Sequence, residues 1–374
     1  MKDSLRGDFR TKRVVFIGGH HTSAMAVMRD LVKERKDIEI HFIGHKFSAY
    51  KDKNTSSEYR EIIQGNIPFY NLRAGKIYRI FNLKRLLLLP FGLFQALYFL
   101  IKIKPSLVIS FGGYLAVPVV FWAWVLRIPV ITHEQTLQSG WANIFVSKLS
   151  RSILLTWESS LDFFPKEKSK VIGLPIVKDF EKKDITYGIF KNKLPLVFIT
   201  GGKQGAHVIN EVIGKVFKDL TEFCNVVIQC GDNSHFKDFD KLNDLIASLP
   251  LKSREQILVK KFLSRSEQLT MIQKADLLVG RAGAHFMYEV CFYKKPVLFI
   301  PLPNTSHNEQ YKNALFVERL GLAKILNQDV LTKEKILEDI QFMLKNLEGY
   351  GLRRHVSLPE NASQKFVQEI NRFV

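Results

Sequence analysis

Three short motifs in the first half of the chain contain side chains that can transfer a proton, and two of the three begin with a pair of glycines. Gly18-Gly19-His20, Gly112-Gly113-Tyr114 and Glu134-Gln135 each follow a short apolar run that is typical of a strand. Glycine lets the backbone approach a ligand closely, and a helix that starts after such a loop presents free N–H groups to an anion. His20 and Glu134 are the candidate catalytic groups, because either could accept a proton from a hydroxyl. Taken singly, the first motif also fits an ordinary strand–helix turn, and a lone His133-Glu134 pair at a strand end is more often a hydrogen-bonded structural pair than a catalytic one.

A glycine-rich loop opens the second half of the chain. The segment Thr200–Ala206 reads Thr-Gly-Gly-Lys-Gln-Gly-Ala and lies between a strand-like run and a helical pattern. Glycines placed directly before a helix N-terminus form a cradle for phosphate. The Gly-Lys-Ser/Thr order of a Walker loop and the G-x-G-x-x-G order of a dinucleotide loop are both missing from this segment. The loop therefore predicts a phosphate site that belongs to neither of those classes.

Two further polar motifs follow. Glu289 lies about two helical turns beyond Gly283, where a carboxylate could accept both ribose hydroxyls of a nucleotide while the loop faces its phosphates. A solvated helix glutamate is the simpler alternative. Gln310 and Asn313 share a helix face at i, i+3, and their amides suit neutral sugar hydroxyls. No H-x-x-x-H or D-x-D pair lies near these motifs, so we predict no metal ion and no cofactor.

The elements that must position these residues alternate between strand and helix. The first series has strands predicted at Val14–Ile17, Ile38–Ile43, Leu107–Ser110, Pro129–Thr132, Ile153–Thr156 and Lys170–Ile172, with helices at Ser23–Arg35, Leu115–Leu126 and Gly140–Leu149. The second has strands predicted at Leu196–Thr200, Val226–Gln229, Ile257–Lys260, Leu277–Val279, Val297–Ile300 and Ala323–Ile325, with helices near Ala206–Leu220, Arg265–Gln273, Ala284–Phe292, His307–Leu320 and Thr332–Leu347.

This alternation is typical of α/β domains with a parallel sheet. The charged, irregular segment Val177–Lys193 separates the two series and reads as a linker, and Glu360–Val374 forms a last helical segment. A chain of 374 residues is long enough to form two such domains. We therefore predict two Rossmann-like, doubly wound domains facing a cleft, with ligands at the carboxyl ends of the strands.

The cysteine content and the polar first segment of the sequence bear on the cellular compartment of the protein. The three cysteines, Cys224, Cys230 and Cys291, form no even-numbered framework and predict free, buried thiols in a reducing environment. The polar start, MKDSLRGDFRTKR, lacks the apolar core of a signal peptide. Both observations predict a cytoplasmic protein.

The net charge of +19 predicts an anionic partner. From Ile62 to His133 the chain contains no Asp or Glu and eight Lys or Arg, which flank the dense apolar run Leu86–Ile101. That run is too short for a spanning helix, which needs about 20 apolar residues. Cations beside a dense apolar segment suit an anionic membrane surface better than a nucleic-acid groove, so we predict no nucleic-acid partner. A buried core helix with solvated basic ends is the alternative.

Seven motifs in this order resemble the MurG family of N-acetylglucosaminyltransferases, which convert lipid I into lipid II in peptidoglycan synthesis. They are Gly-Gly-His, Phe-Gly-Gly-Tyr, His-Glu-Gln, Gly-x-Pro, Gly-Gly-x-Gln-Gly-Ala, Arg-x-Gly-Ala with a later Glu, and Gln-x-x-Asn-Ala, and they extend over nearly the whole chain. The resemblance implies a glycosyltransferase-B fold and an inverting, metal-independent transfer from UDP-N-acetylglucosamine. It also implies a polyprenyl-diphosphate-linked sugar as acceptor and peripheral attachment to the cytoplasmic face of the cell membrane.

The same resemblance assigns roles to domains and residues. Residues 1–178 would bind acceptor and membrane, 179–355 would bind the UDP-sugar, and 356–374 would form a helix that packs back on the N-terminal domain. His20 would be the base. The acceptor would be bound by Gly18, Gly19, Gly112, Gly113, Tyr114 and Gln135. The donor would be bound by Gly201, Gly202, Lys203, Gln204, Gly205, Arg281, Ala282, Gly283, Ala284, His285, Glu289, Gln310 and Asn313, with Glu289 on the ribose, the loop Arg281–His285 on the diphosphate and Gln310 on the sugar.

The chain departs from the family pattern in several places. Its first glycine loop is about three residues shorter than Gly-Gly-Thr-Gly-Gly-His, with Ser23 where the family has Pro, and is closer there to the Gly-Gly-His-Thr pattern of the eukaryotic dolichol-linked chitobiose synthase subunit. Thr136 replaces Asn after His-Glu-Gln, and Lys203 replaces Ser after Gly-Gly. Gly173-Leu-Pro-Ile-Val-Lys178 replaces Gly-Asn-Pro-x-Arg, so the arginine expected near the donor is absent or replaced by a shifted lysine.

These departures leave alternatives for the acceptor and for the activity. Another polyprenyl-diphosphate sugar could take the place of lipid I as acceptor. A UDP-sugar 2-epimerase would share the two-domain plan, but elimination at the sugar needs carboxylates, and the acid-poor first domain offers mainly Glu134. A UDP-sugar-binding protein without transfer activity is the third possibility.

Overall fold

In the computed structural model the chain divides into two units, each built on its own parallel sheet. The structure describes residues 11–19, 21–47, 55–73, 88–137, 139–176, 190, 192–202, 204–233, 235–305, 308–353 and 358–374. One unit comprises Met1–Asp179 together with Leu358–Val374, and the other comprises Phe180–Ser357.

The first unit is built on a seven-stranded sheet in which every neighbouring pair is parallel, in the order β3-β2-β1-β4-β5-β6-β7. Its strands are β1 Lys12–Ile17, β2 Ile38–Gly44, β3 Phe69–Asn71, β4 Leu107–Ser110, β5 Val130–Glu134, β6 Ser152–Leu155 and β7 Ser169–Val171. Its helices are α1 His21–Glu34, α2 Ser57–Gln64, α3 Leu88–Ile103, α4 Ala116–Val125, α5 Trp141–Leu149 and, from the end of the chain, α14 Ala362–Ile370.

Helices cover both faces of this sheet. Val14 and Phe16 of β1 point into the core formed with α1 and α14, whereas Val15 and Ile17 point into the core formed with α3 and α4. Strands that are buried on both faces read as continuous apolar runs, which is why the sequence predicts them well.

The last helix closes one of these cores. Phe366 of α14 is fully buried, and Ser363 Oγ donates to the carbonyl of Ala26 on α1 at 3.2 Å. Lys170 Nζ at β7 lies 2.6 Å from Glu369 Oε2, which ties the helix to the far edge of the sheet. The final residues of the chain are thus part of the first unit.

The second unit has a six-stranded parallel sheet in the order β10-β9-β8-β11-β12-β13. Its strands are β8 Leu196–Thr200, β9 Asn225–Gln229, β10 Ile257–Lys260, β11 Leu277–Gly280, β12 Val297–Phe299 and β13 Ala323–Ile325. Its helices are α6 His207–Lys215, α7 Phe217–Leu220, α8 Asp238–Ala247, α9 Leu251–Arg254, α10 Arg265–Lys274, α11 Ala284–Tyr293, α12 Glu309–Arg319 and α13 Lys333–Lys345.

The predicted strands and most predicted helices are confirmed within one or two residues at each end. The single helix predicted over Ala206–Leu220 is wrong in one detail, because it breaks at Val216 into α6 and α7, a break that lets Phe217 and Leu220 both be buried. Four elements were not predicted from the sequence: α2 and β3 in the first unit, and α8 and α9 in the second. Ile62 is the fully buried apolar residue of α2, and β3 has three residues, so neither gives a clear periodic signal.

The sequence also predicts free, buried cysteines and an apolar run that is too short to span a membrane. Cys224, Cys230 and Cys291 are free and buried, and burial raises their pKa values to about 12, 11 and 12. In the described part of the chain, none of the helices combines the length and the apolar character that crossing a bilayer requires.

Candidate functional site

The two glycine loops of the first unit touch each other. β1 and β4 are neighbours in the sheet, so the loops that follow them meet at one edge. The amide of Gly19 donates to the carbonyl of Gly112 at 3.3 Å. Gly18 has a φ of 136°, and a Cβ there would lie 2.7 Å from the backbone carbon of Phe111. Glycine at position 18 is required by both the backbone conformation and the close approach.

Glu134 supports the second of these loops through Asn143. Its side chain is 2% exposed at the end of β5, and its Oε2 accepts from Asn143 Nδ2 at 2.7 Å. Asn143 Oδ1 in turn accepts from the amide of Gly113 at 3.2 Å. The other carboxylate oxygen, Oε1, accepts from the amide and the hydroxyl of Thr136 at 2.9 and 2.8 Å. Glu134 is therefore engaged through both oxygens, in a geometry that holds a loop in place.

The neighbours of Glu134 are buried as well. The imidazole of His133 packs against the rings of Phe111 and Phe366, which stack on each other, and its Nε2 is 3.1 Å from the carbonyl of Gly173. Gln135 is 1% exposed, and neither polar atom of its side chain has a hydrogen-bond partner in the described chain. A buried amide without partners is costly. Gln135 is thus a polar group held at the sheet edge without compensation.

Tyr114 has a titratable neighbour that the sequence analysis missed. Its hydroxyl lies 2.7 Å from His45 Nε2, just after β2. Burial lowers the pKa of His45 and raises the pKa of Tyr114. The nearby carboxyl of Glu58 raises the pKa of Tyr114 further. Burial, with help from Glu61, raises the pKa of Glu58 to about 8. The first unit therefore contains carboxyl groups at this edge besides Glu134, a cluster separated too widely in sequence to form a motif.

His20 lies outside the described residues. The next residue, His21, begins α1, and its Nε2 is 3.4 Å from Glu61 Oε2 on α2. A histidine paired with a carboxylate thus directly follows the first glycine loop. Because α2 gives only a weak sequence signal, this pairing was not visible before the tertiary structure.

In the second unit, the loop after β8 is folded tightly on itself. Gly202 donates through its amide to Thr200 Oγ1 at 3.1 Å, and its carbonyl accepts from Gln229 Nε2 at 3.0 Å. A Cβ on Gly205, whose φ is 75°, would lie 2.0 Å from the carbonyl oxygen of Cys230. The loop leads into α6 at Ala206, which provides no side-chain cap. Lys203 lies outside the described residues, and Gln204 is exposed.

The loop after β11 lies beside it, because β8 and β11 are hydrogen-bonded neighbours. Gly283 precedes α11 without a side-chain cap, and none of the described residues has an atom within 4 Å of where its Cβ would be. Asn313 is buried on α12 and donates to the carbonyl of Ala282 at 2.9 Å. An uncapped helix N-terminus next to open space can accept an anion. Ala284 and His285 form the first turn of that helix.

Arg281 points away from this helix N-terminus. Its Nη1 donates to the carbonyls of Ile300 and Pro301 at 3.0 and 3.2 Å, and its Nη2 donates to Gln328 Oε1 at 2.6 Å. Burial lowers the pKa of its guanidinium to about 10. These contacts hold the loop after β12 against the loop after β11.

The remaining predicted donor residues are also held by the protein. Gln310 Oε1 accepts from the amide of Leu302 at 2.9 Å, which fixes the amide at the start of α12. Glu289 is 1% exposed, and its Oε1 accepts a hydrogen bond from Arg265 at the start of α10. Arg265 was not among the predicted site residues, because nothing in the local sequence links it to a residue on another helix.

Within the described residues, no group of three or more His, Cys, Asp or Glu side chains could hold a metal ion. The chemistry that the two units offer is hydrogen bonding from glycine amides and helix N-termini, with histidine and carboxylate groups beside the loops of the first unit. Such an arrangement suits ligands with phosphate and hydroxyl groups.

Comparison with known proteins agrees with this chemistry. Residues 17–155 match the glycosyltransferase family 28 N-terminal domain, and residues 196–369 match the C-terminal domain of the same family. A relative from Clostridium perfringens, named UDP-N-acetylglucosamine–N-acetylmuramyl-(pentapeptide) pyrophosphoryl-undecaprenol N-acetylglucosamine transferase, is 30% identical over 90% of this chain and 92% of its own length.

Solved structures with the same fold include the crystal structure of MurG from Acinetobacter baumannii. It is 26% identical and has a TM-score of 0.70, covering 96% of this chain and 99% of its own. A UDP-GlcNAc 2-epimerase from Neisseria meningitidis, 17% identical, has a TM-score of 0.64 over 96% of this chain and 100% of its own, and this likeness concerns the fold alone. The predicted glycosyltransferase-B fold is confirmed, and the chain belongs to glycosyltransferase family 28, among the MurG-type glycosyltransferases.

Proposed function

We propose that this protein transfers N-acetylglucosamine from UDP-N-acetylglucosamine to lipid I and so forms lipid II in peptidoglycan synthesis. The observation that carries the proposal is the 30% identity to a transferase of that name over nine-tenths of the chain. The glycine loops and helix N-termini at the strand ends of both sheets are chemically suited to two diphosphate substrates, one for each unit.

The second unit is the proposed donor site. The uncapped start of α11 at Gly283 and the loop Gly201–Gly205 would bind the diphosphate, Glu289 the ribose and Gln310 the sugar. The open space around Gly283 supports this assignment, because phosphate oxygens need close access to backbone amides. Arg281 and Asn313 support the same loops from behind through their bonds to Pro301 and Ala282.

The first unit is the proposed acceptor site. The touching loops Gly18–Gly19 and Gly112–Tyr114 would bind the acceptor diphosphate, with Gln135 nearby, and Glu134 would hold the second loop through Asn143. His20 is the proposed base. It would take the proton of the attacking hydroxyl as the new bond forms to the anomeric carbon and the bond from that carbon to the UDP oxygen breaks.

Inverting transfer builds negative charge on the leaving UDP. Amides at the start of α11 and in the loop after β8 are fixed by the fold before substrate arrives, so they can stabilise that charge without reorganising. The bonds from Asn313 to Ala282 and from Gln229 to Gly202 help to fix those two loops.

A lipid-linked acceptor requires that the enzyme work at a membrane surface, and we propose that α3, α4 and α5 form it. On α3, Phe91, Phe94, Tyr98 and Ile101 recur at helical spacing and are exposed, with Phe94 67% exposed. Ala96, Leu100 and Ile103 on the opposite side of the helix are buried. One face of α3 is therefore buried in the core and the opposite face is exposed, so each of the two alternatives offered by the sequence describes one face of this helix.

The neighbouring helices extend this apolar face. Trp122 Nε1 on α4 donates to the carbonyl of Leu93 on α3 at 2.9 Å, and α4 presents Trp124 to solvent. On α5, Trp141 is 81% exposed. Exposed cations stand at the ends of the three helices, at Lys102, Arg127 and Lys148. Aromatic side chains with flanking cations favour an anionic lipid surface, in agreement with peripheral attachment at the cytoplasmic face of the cell membrane.

The proposal is tested with purified protein, labelled UDP-N-acetylglucosamine and two acceptors: lipid I and a polyprenyl-diphosphate N-acetylhexosamine without peptide. We expect label to enter lipid I. Transfer to the second acceptor alone would exclude the peptidoglycan assignment, and UDP binding without transfer to either would identify a binding protein. Formation of a UDP-linked sugar with inverted configuration at C2, without transfer to either acceptor, would identify an epimerase.

The role of His20 is tested separately. His20→Ala should lower the turnover number by about a hundredfold or more, the contribution of general base catalysis, while the affinity for UDP stays the same. His21→Ala is the matched control at the neighbouring position. A turnover number that falls for His21→Ala and not for His20→Ala would transfer the role of base to the His21–Glu61 pair.

A further inference from the structure

Glu289 forms an ion pair in the interior of the second unit. The carboxylate is 1% exposed on α11, and its Oε1 accepts from Nη2 of Arg265, which lies 24 residues earlier on α10. The Arg265 side chain is 20% exposed and covers this side of the carboxylate. The ribose assignment of Glu289 does not by itself explain why an arginine from another helix is placed here.

The local structure holds Arg265 firmly. Ser264 and Glu267 form a capping box that fixes the start of α10. Arg265 Nη1 donates to Gln268 Oε1 at 3.2 Å, one turn further along the helix. Its Nε is buried and has no hydrogen-bond partner in the described chain. The capping box at the start of α10 fixes the backbone of Arg265, and Gln268 and Glu289 fix its guanidinium.

A buried carboxylate needs a counter-charge, because desolvation strongly penalises an unpaired charge. Arg265 supplies that charge and binds one oxygen only. The hydrogen bond and the ion pair that the described residues form with Glu289 both involve Oε1, and none involves the second oxygen, Oε2. A carboxylate oxygen has lone pairs for hydroxyl donors, so Oε2 is the atom left for a ligand.

We propose that Arg265 is a positioning residue that aligns Glu289 for the ribose hydroxyls of the donor nucleotide. The inference rests on the proposed donor site, in which Glu289 binds the ribose. Arg265 fixes Oε1 and thereby the plane of the carboxylate, and Oε2 accepts from the ribose. Recognition of a ribonucleotide rather than a deoxyribonucleotide then depends on a residue that does not touch the sugar.

The test measures, by calorimetry, the affinity of the full-length protein for UDP and for 2′-deoxy-UDP. Wild type should prefer UDP by about tenfold to a hundredfold, as expected for a hydroxyl bonded to a carboxylate. Arg265→Met should reduce that preference to about threefold or less. Arg265→Lys, which keeps the charge and loses the guanidinium fork, should fall between them. Arg254→Met is the control, because Arg254 bonds only the Leu249 carbonyl in the described chain.

Each result decides between the two levels of the proposal. If Arg265→Met keeps the wild-type preference, or weakens both nucleotides equally, the positioning role is wrong while the donor site stands. If wild type binds UDP without preferring it, Glu289 does not read the 2′-hydroxyl and the inference fails with it. If wild type binds neither nucleotide, the proposed function itself fails. Arg265→Lys provides the same comparison should Arg265→Met not fold.

Discussion

Glu134 Oε2 accepts a 2.7 Å hydrogen bond from Asn143 Nδ2, and this bond fixes which side of the Asn143 amide faces the glycine loop. With its nitrogen turned to the carboxylate, Asn143 presents Oδ1 to the amide of Gly113. A carboxylate that sequence reasoning would assign to acid–base chemistry is therefore part of the support of the proposed acceptor loop.

Glu134→Gln tests this relationship. The new amide nitrogen can take the position of either carboxylate oxygen. In the position of Oε2 it would face Asn143 Nδ2, and in the position of Oε1 it would lose the bonds from Thr136. Rotating the Asn143 amide to avoid the first clash would turn its nitrogen towards the amide of Gly113. We expect kcat/KM for the lipid acceptor to fall by about 10- to 100-fold, the cost of a bond to a charged group. Affinity for UDP should not change. Glu158→Gln, at an exposed position, is the control, and an equal loss of UDP affinity would contradict the assignment.

Gly283→Ala should separate donor binding from folding. No atom of the part of the chain that the structure describes lies within 4 Å of the new Cβ, so the free energy of unfolding should change by less than about 1 kcal/mol. The methyl group would occupy the space through which phosphate oxygens would approach the helix N-terminus, so affinity for UDP-N-acetylglucosamine should fall by about tenfold. Calorimetry and thermal unfolding measure the two quantities. Unchanged affinity would remove Gly283 from the donor site.

Gly205→Ala is expected to show the opposite pattern. Its Cβ would lie 2.0 Å from the Cys230 carbonyl oxygen at a φ of 75°. The second unit should lose about 2–4 kcal/mol of stability, because both the overlap and the backbone conformation must be relieved. Chemical unfolding followed by circular dichroism measures the loss. A stable Gly205→Ala variant would mean that this loop adopts another conformation.

Glu58 should make the first unit less stable as pH rises. Its pKa is raised from 4.5 to about 8, so between these values the folded state holds a proton that the unfolded state has released. Stability that is fully present below pH 4.5 is then lost as pH rises through 8. The glutamine in Glu58→Gln cannot ionise. Between pH 5 and pH 9 the free energy of unfolding of this variant should therefore fall by about 1–3 kcal/mol less than that of wild type.

Tryptophan fluorescence can measure this effect in the first unit alone. All four tryptophans of the chain, Trp122, Trp124, Trp141 and Trp157, lie in that unit. Urea unfolding at pH 5, 7 and 9 gives the stability at each pH. Glu334→Gln, an exposed residue of the second unit, is the control. Parallel pH profiles for wild type and Glu58→Gln would show that the carboxyl of Glu58 is not buried in solution.

Phe94→Asp should weaken membrane binding without unfolding the protein. The side chain is 67% exposed on α3, so the free protein loses little packing. Removing one phenyl ring from the bilayer and adding an anion should lower binding to anionic vesicles by about tenfold or more. Sedimentation with vesicles at low and high salt measures the change. Phe342→Asp, on the second unit, is the control, and equal losses for the two variants would exclude α3 as the contact.

The sequence by itself determined the parallel sheets and the loops at their strand ends. Strands buried on both faces must be continuous apolar runs, and the glycines after β1, β4, β8 and β11 follow those runs directly. The order of motifs also sufficed for the family. Local signals of this kind need no knowledge of the tertiary structure, which is why the predicted strands agree with the observed ones within two residues.

Only the tertiary structure decided what the polar side chains in these motifs do. Arg281 faces the Pro301 carbonyl, Glu134 faces Asn143, and Glu289 faces Arg265, each across a gap in sequence that no local pattern spans. A buried charge must find its partner wherever the fold brings a donor close. The direction of a side chain therefore follows from packing between elements, whereas the position of its loop follows from the chain.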